Sequence, residues 1–122
     1  GPKLVLNEYM TFKNAKGHEK FWTRPVHPPD DDDPQPKETP PFVCTPYCGW
    51  PAGAALPEGA VVVDEDEEGR VLQLPDGCHA STKKGAENAA AVVLLEALQA
   101  LEPAAPPLRF LALRAPALYS AA

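Results

Sequence analysis

The sequence has no long hydrophobic run and no secretory leader. A membrane-spanning helix needs about 18 or more predominantly apolar residues in a row, and none of the apolar stretches in this chain approaches that length. The N-terminus also lacks the charged and then apolar order that marks a secretory signal. We therefore expect neither a membrane partner nor export.

Signatures of catalysis are missing as well. The chain contains no glycine-rich phosphate loop with Lys and Ser or Thr, no zinc-deaminase pattern and no evident Ser-His-Asp set. The acidic residues at 64–68 suggest a carboxylate metal site, but no second acidic position on a rigid element nearby completes a cage. A solvated turn is the simpler interpretation. The sequence predicts a domain that is not an enzyme and needs no cofactor.

Only three cysteines are present, so they cannot all pair. Without a secretory signal, this odd number favours a reducing, intracellular location, and cytosol, nucleus and mitochondrion all fit it. Cys44, Cys48, Cys78 and His79 are possible zinc ligands. If the first two lie on one strand, however, they are roughly 13 Å apart at about 3.3 Å per residue, too far for one metal ion. We predict ordinary structural cysteines and no metal site.

Proline is in excess, with 16 prolines and 8 glycines in 122 residues, so much of the chain cannot be regular structure. We expect a single domain over residues 1–102, with insertions at about 28–41 and 50–69. Residues 103–122 would be an extension or the start of a neighbouring segment. Gly1 and Pro2 have the form of a protease-cleavage scar, so we expect the chain to be cut from a longer protein.

The formal net charge of −6 argues against a nucleic-acid partner, because phosphate binding depends on Lys and Arg displacing counterions. The acid is confined to the middle of the chain, however. Residues 30–69 carry eleven acidic side chains and one basic side chain, whereas residues 1–29 sum to +3 and residues 70–122 to +1. A binding face for phosphate can therefore survive at the two ends of the sequence.

Two segments have the hydrophobic periodicity of helices. Apolar residues recur at steps of three and four in residues 3–13 and again in residues 82–101. Ser81 is the expected N-cap of the second helix. Both helices would present an apolar stripe to a common core.

The segments between the helices predict strands. Residues 21–26 and 42–49 have strand-like patterns, although Pro46 should lie at an edge or a bulge. Residues 60–74 predict a hairpin around an acidic turn, and its second arm would be the third main strand. The predicted fold class is α+β, in the order α-β-β-β-α, with a three-stranded antiparallel sheet and two helices packed on one face.

The start of the second predicted helix has an unusual charge. Lys83 and Lys84 lie in its first turn, where the helix dipole disfavours cations by about 0.3 to 1 kcal/mol each. Solvent screening can account for this, and so can a site for phosphate oxygens. Residues 81–90 (STKKGAENAA) resemble the signature of the double-stranded RNA-binding domain family at its second helix. Residues 6–9 (LNEY) resemble the opening of that family's first helix, in a form found in RNA helicases of the DEAH kind.

The resemblance covers about residues 3–101 and implies a domain that recognises A-form RNA by its shape. The start of the second helix would contact phosphates across the major groove, and the first helix and the loop between the first two strands would enter minor grooves. The implied contact residues are Lys83, Lys84, Ser81 and Thr82 at the second helix, Asn7, Glu8 and Thr11 for the sugars, Lys3 or Lys13 for phosphate, and His27 in the loop.

Two departures from the family pattern would weaken RNA binding. Glu87 occupies the third basic position of the lysine cluster, and the loop after His27 carries two prolines and the run Asp30–Asp33 instead of a Gly-Pro-x-His element. Aspartates that face a phosphate backbone would repel it. The alternative is a module that keeps the fold but holds another protein, such as a basic partner or another domain of the parent chain.

Overall fold

The computed structural model describes residues 1–12, 17–26 and 41–101. In chain order the elements are α1 (Pro2–Phe12), β1 (Glu19–Pro25), β2 (Phe42–Pro51), β3 (Val61–Glu65), β4 (Gly69–Gln73) and α2 (Lys83–Leu101). The strands form one antiparallel sheet in the order β1-β2-β4-β3. The fold class is α+β, as predicted, but the sheet has four strands rather than three.

The additional strand is β3, the first arm of the predicted hairpin. β3 pairs with β4 from Val61 opposite Gln73 to Glu65 opposite Arg70, with a bulge between Val62 and Asp64. Every residue of β3 is exposed. The sequence predicted this segment as the first arm of a hairpin and counted only the second arm among the main strands.

The core lies between the two helices and one face of the sheet. α2 contributes a stripe of buried residues at helical spacing, namely Ala86, Ala90, Leu94, Ala97, Leu98 and Leu101. Leu6 and Met10 of α1 pack in one cluster with the part of this stripe from Leu94 onward, and Cys48 and Leu72 complete it from the sheet. Burial stabilises a large apolar side chain by about 1.5 to 3 kcal/mol, so this cluster is the main source of stability.

Pro46 lies in the interior of the sheet, and the expectation of an edge or a bulge was wrong. It is opposite Phe21 of β1, in a strand with neighbours on both sides. Its C=O accepts the N–H of Leu74 at 2.9 Å. The N–H and C=O of a strand residue point to the same neighbour, so the donor that proline lacks would point toward Leu74. β4 has already ended at Gln73, and the β2–β4 ladder therefore loses no bond within its length.

The segment between β4 and α2 sets the position of the helix start. Residues 74–80 continue along β2, where the N–H of Gly77 donates to the C=O of Cys44 at 3.1 Å and Ala80 forms a bridge with Phe42. Glycine is needed at position 77 because a Cβ atom there would lie 2.5 Å from the backbone nitrogen of Ala90. The first turn of α2 is thereby held beside the beginning of β2.

A polar network ties the same segment to the face of the sheet that points away from the helices. Arg24 Nη1 donates to Thr45 Oγ1 at 2.8 Å, and Arg24 Nη2 lies 3.4 Å from Asp76 Oδ2. The Thr45 hydroxyl donates to the other oxygen of Asp76. The Arg24 guanidinium also lies 4.1 Å from the centroid of the Trp22 ring, within the range of a cation–π interaction. These contacts join β1, β2 and the segment that leads to α2.

Candidate nucleic-acid interface

α2 is capped by Thr82, and the prediction of Ser81 as the N-cap was wrong by one residue. Thr82 Oγ1 accepts the N–H of Gly85 at 2.9 Å, and the Thr82 C=O accepts the N–H of Ala86 at 3.0 Å. These are the bonds of an N-cap. Ser and Thr both cap helices well and are adjacent here, so residue type alone did not separate them.

Lys83 and Lys84 are the first two residues of α2, and both are exposed. Lys83 Nζ lies 6.0 Å from the centroid of the Phe42 ring, at the outer limit of a cation–π interaction. The backbone N–H groups of both lysines have no acceptor within the helix because of their place in its first turn. Two exposed lysines therefore occupy the positive end of a helix, which suits phosphate oxygens.

A polar junction joins α1 to the start of α2. Lys3 Nζ forms an ion pair with Glu87 Oε2 at 2.8 Å, and the backbone N–H of Lys3 donates to Asn88 Oδ1 at 3.1 Å. The side chain of Lys3, a predicted phosphate contact, is about half exposed. Glu87 thus balances the charge of Lys3.

The polar residues of α1 that were predicted to meet RNA sugars are exposed. Asn7, Glu8 and Thr11 all lie at the surface, and the spacing of four places Asn7 and Thr11 on one side of the helix. The Thr11 hydroxyl donates to the Asn7 C=O at 2.8 Å, which leaves its oxygen able to accept a further hydrogen bond. Lys13 and His27 lie outside the described residues.

Three predicted contact residues from the two helices meet at one depression in the surface. Lys3 and Asn7 of α1 line it together with Lys84 of α2. Sequence reasoning missed the other polar residues there, Glu19 of β1 and Asn88 of α2. Lys3 and Asn88 are 85 positions apart in the chain, so no local pattern could have joined them.

The acidic hairpin lies at the other end of the sheet from the lysines. Phe42, next to Lys83, begins β2, whereas Pro51 ends it and pairs with Gly69 at the acidic turn. The ten residues of β2 separate these ends by roughly 30 Å at about 3.3 Å per residue. Charges so far apart are screened, because the Debye length is about 8 Å at physiological salt. The run at 64–68 therefore does not oppose an anion at the start of α2, and Asp30–Asp33 lie outside the described residues.

The acidic turn is held by its own backbone. Asp66 Oδ1 accepts the N–H groups of Glu68 at 2.7 Å and Gly69 at 3.2 Å, and Asp64 Oδ1 accepts the N–H of Glu65 at 2.8 Å. Such local bonds from Asp side chains stabilise turns. Within residues 1–12, 17–26 and 41–101, no three His, Cys, Asp or Glu side chains are grouped so that they could hold a metal ion.

The cysteines divide into two buried residues and one exposed residue. Cys44 and Cys48 lie in the core, and Cys78 is at the surface. Burial raises the pKa of both the Cys44 and the Cys48 thiols, which keeps them protonated and unreactive.

In the part of the chain that the structure describes, neither helix combines the length and the apolar composition needed to cross a membrane.

Comparisons of the chain with protein-family models, with curated proteins and with solved structures found no match. A functional interpretation must therefore come from the geometry of the interface. That geometry consists of an exposed lysine pair on a capped helix, an exposed polar face on α1 beside it, and a depression between them.

Proposed function

We propose that this chain is a non-catalytic, double-stranded RNA-binding domain that recognises A-form RNA through phosphate and 2′-hydroxyl contacts. The proposal depends on one observation, the exposed pair Lys83 and Lys84 on the capped first turn of α2. The major groove of A-form RNA is deep and narrow, so a protein meets the phosphates on its rims and the 2′-hydroxyls of the neighbouring minor groove. The start of α2 suits the phosphates, and the polar face of α1 suits the hydroxyls.

The arrangement of elements supports the proposal. α1 and α2 pack on one face of an antiparallel sheet, which is what the resemblance at residues 6–9 and 81–90 implies. β3 is added at the edge of the sheet farthest from β1 and leaves both helices in place. As an accessory domain, the chain would position structured RNA for an enzyme elsewhere in its parent protein, such as an RNA helicase of the DEAH kind.

A protein-interaction module is the second candidate, and the exposure of β3 favours it. Val61, Val62 and Val63 are 55%, 39% and 40% exposed and adjoin the acidic run. Exposed apolar residues beside charges of one sign are typical of a protein-binding surface. Such a module would hold a basic protein or a basic part of its parent chain, and Lys83 and Lys84 would not be needed for binding.

Titration with a labelled RNA duplex of about 16 base pairs tests the first candidate. Binding should weaken as salt rises, with a slope of about 0.9 in the logarithmic plot for each phosphate neutralised, a value taken from B-form DNA. The double substitution Lys83→Gln and Lys84→Gln should weaken binding by about tenfold or more and reduce the slope by nearly two, because two phosphate contacts are lost.

The matched control removes the same net charge elsewhere on α2. Val92→Glu with Gln99→Glu alters two exposed positions farther along the helix and should bind RNA almost as the wild type does. Failure of the wild type to bind at low salt, or equal losses in both double variants, would refute the proposal. Capture of the parent protein's other domains would then become the informative test of the second candidate.

A further inference from the structure

The outer face of the sheet, which points away from the helices, carries buried apolar side chains. Cys48 and Leu72 are paired and belong to the core beneath the helices. Tyr47 and Val71 precede them on β2 and β4 and therefore point outward, because successive strand residues alternate between the two faces. Tyr47 is only 2% exposed and Val71 only 3%. Side chains are buried to this degree only where other atoms pack against them.

Neighbours within the sheet do not account for this burial. The partner of Val71 on β2 is Gly49, which has no side chain, so the Tyr47 ring can lean over Val71. The Tyr47 hydroxyl donates to Gln73 Oε1 at 3.3 Å, which holds the ring toward β4 and leaves its other side facing outward. Lys20 of β1 pairs with Tyr47 and flanks it in the same layer. The outward side of the ring therefore needs a further layer to bury it.

No described segment supplies that layer. Within residues 1–12, 17–26 and 41–101, both helices pack on the opposite face of the sheet. The loop at residues 53–57 lines a cavity with α2 on that same opposite face. The exposures are those of a single chain, so a second copy is not the source of the burial. The cover is therefore to be sought in the remainder of the same chain.

Composition selects one segment of that remainder. Residues 13–16 and 27–40 contain no Leu, Ile, Val, Met, Phe, Tyr or Trp, so they have little to gain from packing on an apolar surface. Residues 108–113 have the sequence LRFLAL, in which four of six side chains are large and apolar. Their transfer from water onto Tyr47 and Val71 is favourable in proportion to the apolar area that is buried.

The connection from α2 is long enough to reach the outer face. α2 ends at Leu101, which lines a cavity with Trp50 near the end of β2. The six residues 102–107 can span about 20 Å at about 3.3 Å per residue. Packed layers of secondary structure lie about 10 Å apart, so this length suffices to pass around the end of the sheet.

Charge favours the same path. β2 ends at Pro51, which pairs with Gly69 beside the acidic run at 64–68. Residues 103–122 contain two arginines, Arg109 and Arg114, and no acidic residue. A basic segment that leaves α2 at this end of the sheet is attracted by the acidic hairpin.

We propose that residues 108–113 pack against the outer face of the sheet and cover Tyr47 and Val71. The domain then extends beyond α2 and has an apolar layer on each face of its sheet. A face that the chain itself closes is not open to a protein partner, which leaves β3 as the exposed apolar surface of the sheet. This packing is independent of the RNA-binding function proposed above.

Nuclear Overhauser contacts in the full chain test the proposal without any substitution. Protons of Phe110, or methyl protons of the leucines at 108, 111 and 113, should give contacts with the Tyr47 ring or the Val71 methyl groups. A mixture of isotope-labelled and unlabelled chains separates contacts within one chain from contacts between two copies. The proposal is overturned if Tyr47 and Val71 show no contact with residues 108–113, or show such contacts only between copies.

A double substitution in the full chain measures what the packing contributes. Phe110→Ser with Leu111→Ser should lower the melting temperature by about 5 °C or more, because two buried apolar side chains are lost. The matched control, Leu118→Ser with Tyr119→Ser, also removes a leucine and an aromatic residue after α2 and should stay within about 3 °C of the wild type. Equal shifts in the two double variants, or no shift in the first, would contradict the proposal. If the first variant does not fold, the contacts in the wild type decide.

Discussion

The two ends of β2 carry opposite charges and are held by different kinds of contact. At the start of the strand, Lys83 and Lys84 depend on contacts between distant parts of the chain, such as the approach of Gly77 to Ala90. At the other end, the acidic turn is closed by bonds from Asp66 to its immediate neighbours. Because the two ends are far enough apart to be electrically almost independent at physiological salt, the net charge of −6 does not predict the partner of either.

The largest expected effect comes from Gly77→Ala, which disturbs the packing of residues 74–80 against α2. A Cβ atom at 2.5 Å from the Ala90 nitrogen must push residues 74–80 away from α2, and overpacking of this kind costs about 1 to 3 kcal/mol. Urea denaturation measures the loss in the free energy of unfolding. At a position without such a neighbour, the same substitution stabilises by about 0.4 to 1 kcal/mol.

The control for Gly77→Ala is Cys78→Ala at the adjacent exposed position, where the change in stability should stay within about 0.5 kcal/mol. A Gly77→Ala protein as stable as the wild type would mean that the connecting segment does not fix the start of α2.

A smaller effect is expected from Glu87→Gln, which increases the difference in charge between the two ends of β2. The substitution releases Lys3 from its ion pair and removes a negative charge next to the proposed phosphate site. A unit charge about 6 Å from a phosphate contributes roughly 0.7 kcal/mol in water, so binding of duplex RNA should tighten about threefold. Equilibrium titration at low salt measures this change, and Glu96→Gln on the same helix should bind as the wild type does. Weaker binding by Glu87→Gln would mean that the ion pair positions α1 for RNA rather than opposing it.

The smallest effect is expected at the acidic end. Glu65, Glu67 and Glu68 can be changed together to Gln without disturbing the carboxylates of Asp64 and Asp66 that hold the turn. Because this end is roughly 30 Å from the lysines by strand length, duplex affinity should change less than about twofold at physiological salt. A gain of about tenfold in the same titration would show that the acidic turn faces the RNA.

The sequence predicted best what is encoded locally. The apolar stripe of α2 and its exposed lysines follow from the order of residues in one segment, and the structure confirms them. The helix α1 and the hairpin around the acidic turn are confirmed for the same reason. Even there, the predicted N-cap was wrong by one residue, since Thr82 rather than Ser81 caps the helix.

What could not be predicted depends on contacts between distant segments. The ion pair of Lys3 with Glu87 and the depression that Glu19 and Asn88 both line arise only when α1, β1 and α2 are packed. The position of Pro46 inside the sheet was missed because it depends on β4 ending at Gln73, which the proline itself does not signal. Predicting the candidate site in full required the fold, whereas predicting its lysines did not.

The most direct test of the proposed RNA-binding surface is a map of backbone amide chemical shifts during titration with an RNA duplex of about 16 base pairs. We predict that the largest changes occur at Lys83, Lys84 and the exposed residues Asn7, Glu8 and Thr11 of α1, with little change at residues 61–69. Changes confined to residues 61–69, or none at the start of α2, would contradict it.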